Sequence, residues 1–153
     1  MRKLFILCMS LTLCACSTNS SPTDDKTNKT NETGEQKTTV SFVGVGDNLI
    51  HEMIYKEADS AAGGMNDGKY DFSSMYQHVK KDIKDADLAY IDQESIIGGD
   101  DLGISGYPTF NSPSDLASDV AEVGFDIVNT ANNHCLDKYQ EGINYSHEIW
   151  SKQ

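Results

Sequence analysis

Phe125-Asp-Ile-Val-Asn-Thr-Ala-Asn-Asn-His134 is a short apolar β-type segment, Phe125 to Val128, running straight into a cluster of amide and imidazole side chains. In an α/β protein a buried strand delivers polar groups to the carboxyl edge of the sheet, where ligands bind. Two earlier segments have the same form. Val40-Ser-Phe-Val-Gly-Val45 ends in Gly46-Asp47-Asn48, and Leu88-Ala-Tyr-Ile91 ends in Asp92-Gln93-Glu94. Three strand ends that each deliver a carboxylate or an Asn-His pair can make one site.

Amphipathic helices are expected between the strands. Phe72, Met75, Tyr76, Val79 and Ile83 recur at helical spacing, with Lys80, Lys81, Asp82 and Lys84 on the other face and Asp71 or Ser73 as the cap. A second helix runs from an N-cap at Ser114 to a stop at Gly124, with Leu116, Ala117, Val120 and Val123 as its stripe. A last helix over 140–151 places Ile143, His147 and Trp150 on one side. Asp59 to Lys69 reads as a surface excursion, and Ile97 to Phe110 as a glycine-rich loop. Alternation of strands and helices predicts an α/β layered fold with a mainly parallel sheet and right-handed crossovers. No strand follows Trp150, so the expectation is the N-terminal part of a longer protein, with a domain over 38–153 that is incomplete at its C-terminus.

The N-terminus has the form of a targeting signal. Arg2 and Lys3 precede an apolar run from Leu4 to Leu13 that is too short to span a bilayer, and Leu13-Cys14-Ala15-Cys16 reads as a lipobox. Residues 1–16 are therefore expected to be a lipoprotein signal with Cys16 as the lipidated residue. An ordinary secretory signal is the alternative, but it gives the Cys after Ala15 no role. Residues 17–37 carry no aromatic and no large aliphatic side chain and read as a disordered tether. The expected location is the outer face of the bacterial cell membrane, with lipid on Cys16 as the anchor.

The formal charge of −12 argues against nucleic acid as a partner. It does not exclude an anionic substrate, because a bound metal inverts the local field. With Cys8 and Cys14 removed and Cys16 lipidated, Cys135 is the single free thiol, so no disulfide framework forms. Cys135 follows His134 directly and reads as a small half-buried residue rather than a nucleophile.

Gly44-x-Gly46 is a poor dinucleotide loop: Leu49 stands where the third glycine belongs, and no helix opens cleanly behind it. Asp47, Glu94 and the Asn133-His134 pair each also read as ordinary turn or loop residues. Their repetition behind three strands of one sheet favours a joint site. Carboxylate, amide oxygen and imidazole suit Mn²⁺, Fe²⁺, Zn²⁺ or Mg²⁺. A two-metal centre there would generate a hydroxide for in-line phosphoryl displacement, with Asn133 as a ligand and His134 protonating the leaving group. His51 is a possible extra ligand that reads better as an exposed helix-start residue. Asp126 reads as a solvent-side strand residue.

Gly46-Asp47, Asp85-Ala-Asp-Leu-Ala-Tyr-Ile-Asp-Gln-Glu-Ser95, Tyr107-Pro-Thr-Phe-Asn-Ser-Pro113 and Gly124-Phe-Asp-Ile-Val-Asn-Thr-Ala-Asn-Asn-His-Cys-Leu-Asp137 together resemble the CapA-type poly-γ-glutamate capsule synthesis proteins. The resemblance covers about Val40 to Trp150 and implies a calcineurin-like metallophosphoesterase fold. It implies Asp47, Glu94, Asn133 and His134 as divalent-metal ligands, with His134 also catalytic. It further implies work on an anionic poly-γ-glutamate-type polymer or within its synthesis complex. Asp92 departs from the Asn common two residues before that Glu, and family members run well past this length. A non-catalytic membrane-anchored assembly partner, or an inactive truncated fragment, are the competing expectations.

Overall fold

The computed structural model describes residues 37–153. The expected signal, the lipobox and all of the tether but Lys37 lie outside the described residues. Among those residues no helix is long and apolar enough to cross a membrane.

Three strands, β1 (Phe42–Asp47), β2 (Leu88–Asp92) and β3 (Ile127–Asn129), form a parallel sheet in the order β1-β2-β3. The helices are α1 (Glu52–Ala61), α2 (Lys80–Asp85), α3 (Asp115–Val123) and α4 (Tyr139–Trp150). The α/β reading with a parallel sheet is what the chain adopts. Val43, Ala89, Val45, Ile91 and Val128 turn to one face of the sheet. There they meet Ala58 of α1, Ile83 of α2, Leu116, Ala117, Val120 and Val123 of α3, and Ile149 and Trp150 of α4. On the opposite face Phe42 and Ile127 are 61% and 43% exposed.

A helix does open behind β1. Ile54, Tyr55 and Ala58 follow one another at helical spacing and pack on the core, so the apolar stripe of α1 is short but present. The expected single helix over Phe72 to Ile83 is instead a 3₁₀ turn (Ser73–Tyr76) followed by α2. Met75 and Val79 of the predicted stripe are exposed, while Phe72 and Ile83 are buried. Two carboxylates of α3 hold the chain that enters the turn. Asp115 Oδ2 accepts the Tyr70 N–H at 2.8 Å and Asp119 Oδ2 accepts the Phe72 N–H at 2.7 Å, pinning the entering chain to α3. Asp71 does cap the turn, its Oδ1 accepting the Ser73 N–H at 2.9 Å.

Ser114 sits at the start of α3 without a side-chain cap, whereas Gly124 closes that helix in the left-handed region at φ 113°. A Cβ at Gly124 would also stand 3.1 Å from Lys84 Cγ. Gly124→Ala is expected to destabilise the fold by about 1–3 kcal/mol through backbone strain, read as a lower urea midpoint at unchanged slope. β3 begins two residues later than expected because Asp126 replaces a strand carbonyl with its side chain. Its N–H donates to Ala89 O at 2.9 Å, while its Oδ2 accepts the Ala89 N–H at 2.8 Å. Ile143, His147 and Trp150 share a side of α4, as expected, and with Phe125 and Val128 line a groove of about 780 Å³.

Candidate functional site

All three strands end at the same edge of the sheet. Val45 pairs with Ile91, but Asp47 rather than Gly46 pairs with Asp92, so Gly46 is a bulge residue that re-aims the end of β1. Asp92 pairs in turn with Asn129 and accepts its Nδ2 at 2.7 Å on Oδ1. Asp47 stands exposed at this edge.

Behind the edge lies a buried polar network. Gln93, 2% exposed, accepts Asn48 Nδ2 on Oε1 at 2.6 Å and donates Nε2 to Ser95 O at 2.8 Å. Ser95 Oγ shares a hydrogen bond with Ser112 Oγ at 2.9 Å and accepts the Ile50 N–H at 3.1 Å. Tyr76 donates its hydroxyl to Asn48 Oδ1 at 3.0 Å. Burial pushes the Tyr76 phenol up to about 12, so it remains a donor through the physiological range.

On this floor the loop after β3 is built. Asn132 donates Nδ2 to Gln93 O at 3.0 Å, and its Oδ1 accepts the His134 N–H at 2.9 Å. His134 Nδ1 lies 2.7 Å from Asp137 Oδ2, which also accepts the Phe110 N–H at 2.7 Å. A carboxylate oxygen accepting a main-chain N–H requires a donor at Nδ1, so the neutral imidazole carries its proton there. Nε2 is then the free nitrogen, and it faces Glu94 Oε1 at 3.9 Å. The side chains of His134, Glu94 and Asp137 are only 17%, 14% and 13% exposed.

The structure thus brings Glu94 and His134 together and leaves Asp47 and Asn133 at exposed positions. Among the described residues no three His, Cys, Asp or Glu side chains gather to hold a metal ion. Glu94 and His134 supply two donors, which by themselves do not make a closed divalent centre.

The description "Bacterial capsule synthesis protein PGA_cap" belongs to a family model that matches residues 39–153, well over half of the chain. The chain belongs to the PGA_cap family. No curated protein and no solved structure matches it. Within this PGA_cap chain, two residues of the site escaped sequence reasoning. Asp137 was visible only as the His-x-x-Asp spacing, which on a turn places a carboxylate beside the imidazole. Phe110 stood in the Tyr107-to-Pro113 motif without a role, because its contact with His134 joins segments more than twenty residues apart.

Two donors alone predict a weak ion site. Zn²⁺ is expected to raise the melting midpoint of the protein progressively as its concentration is increased, and to do so less in Glu94→Gln. Zinc retained through dialysis against a chelator would instead mean that Asp47 and Asn133 close round the ion.

Proposed function

We propose that this capsule synthesis protein acts in the biosynthesis or export of an anionic poly-γ-glutamate-type polymer, with His134 as the acid–base group of a phosphoesterase-like hydrolysis. Asp137 holds the imidazole, Glu94 faces it, and Nε2 takes up and returns the proton. Lipid on Cys16 holds the chain at the outer face of the cell membrane. One observation carries this reading: His134 is fixed at Nδ1 by a carboxylate that has a second donor, while its Nε2 is aimed at another carboxylate across 3.9 Å. Tethered and shielded imidazoles of this kind are suited to proton transfer.

A second reading is supported by the donor set, which among the described residues gathers no three metal-holding side chains. A non-catalytic, membrane-anchored assembly partner needs the fold and the anchor but no closed metal centre. Complementation of capsule formation in a strain lacking the protein separates the two. Capsule lost with His134→Gln, at unchanged protein level, supports the acid–base role. Capsule lost only with Cys16→Ser supports the assembly role and removes the first.

A further inference from the structure

His134 is not held by its own loop alone. The Phe110 ring packs edge-on against the imidazole, with centroids 4.6 Å apart and planes at 78°. The same ring packs edge-on against His51, at 5.0 Å and 83°. The Phe110 main-chain N–H occupies the Asp137 oxygen that also binds His134 Nδ1. One residue therefore touches the imidazole directly, touches the group that orients it, and touches a second imidazole that is exposed at the start of α1.

Phe110 is itself rigidly mounted. It is 1% exposed, and the next residue, Asn111, clamps three main-chain groups. Asn111 Oδ1 accepts the Gly98 N–H at 2.8 Å, and its Nδ2 donates to Gly99 O at 2.8 Å and Gly103 O at 3.1 Å. Ser105 and Asn111 exchange main-chain hydrogen bonds, closing the loop that precedes Phe110. Gly106 comes so close to α1 that a Cβ there would stand 3.0 Å from Glu52 N. The loop over 105–111 is thus wedged between α1 and the site, with Phe110 at its fixed end.

We propose that Phe110 is the positioning residue of this site: it sets the His134 imidazole through the ring contact and through Asp137, and joins His51 to the same assembly. The proposal rests on His134 being the working group, but its test does not depend on turnover. Nitrogen-15 labelling of the four histidines resolves each imidazole by its one- and multiple-bond proton couplings, at one fixed pH. In the parent, His134 shows the Nδ1-protonated pattern and a slowly exchanging Nδ1 proton.

Phe110→Leu keeps the N–H and much of the apolar volume but removes the ring edge. The expected result is loss of the slowly exchanging proton, a mixed tautomer pattern at His134 and a shifted His51 spectrum, with His78 and His147 unchanged. Leu116→Ala, in the core of α3, serves as a destabilised control and is expected to leave His134 as in the parent. Unchanged His134 signals in Phe110→Leu would overturn the proposal. So would an equal disturbance in Leu116→Ala, which would reduce Phe110 to general packing. If the spectra behave as expected while His134→Gln still makes capsule, the positioning stands and the acid–base reading fails.

Discussion

Replacing Gln93 by Leu is expected to lower the stability of the fold by about 3 kcal/mol, since each buried partner left unpaired costs roughly 1–3 kcal/mol. Leu fills nearly the same space, so the loss reports hydrogen bonding rather than a cavity. Asn48 Nδ2 loses its acceptor and Ser95 O its donor. Asn48 also holds the Tyr76 hydroxyl, so the slack spreads to the segment between α1 and α2. Against a domain stability of about 5–15 kcal/mol this is a large fraction. Urea unfolding of Gln93→Leu beside the parent measures it. A midpoint within error of the parent would mean that the network is carried by Ser95 and Ser112 alone.

The second large effect falls on function. His134→Gln is expected to cut capsule polymer formation by roughly 100-fold or more, the ordinary contribution of a positioned proton-transfer group. Asp137→Asn should cost less, because an amide oxygen can still accept one of the two hydrogens that now share Oδ2. Glu94→Gln should also cost less than His134→Gln, since it leaves the imidazole in place. Combining Asp137→Asn with His134→Gln should add little to His134→Gln alone, because residues that act as a unit are not additive. Polymer yield per cell, normalised to protein level, reads all four. Full additivity of the pair would mean that Asp137 and His134 serve separate purposes.

The strand ends were legible because a β-type apolar run followed by carboxylates or amides is a local pattern. Asp47, Asp92 and Asn129 do end neighbouring parallel strands, with Gln93-Glu94 and Asn132-Asn133-His134 following in the loops behind the second and third. The stop at Gly124 was legible for the same reason, a single residue with φ 113°. The hold on the chain that enters the 3₁₀ turn was not, because the carboxylates that supply it, Asp115 and Asp119, come from α3, some forty-five residues later in the chain. Nor was the burial of Gln93. A Gln between Asp92 and Glu94 looks like solvent-facing loop, and only its partners Asn48 and Ser95 make it interior.

By itself, then, the amino-acid order determined the alternation of strands and helices and the parallel α/β class. Those properties follow from hydrophobic period and from turn chemistry, which act over a few residues. The tertiary structure decided which candidates meet. It set Glu94 across from His134, left Asp47 and Asn133 at exposed positions, and gave His134 two partners, Asp137 and Phe110. Side-chain encounters of that kind depend on the register of the sheet and on the path of the loop over 105–111. Both are settled by packing across the whole domain rather than by any local stretch of sequence.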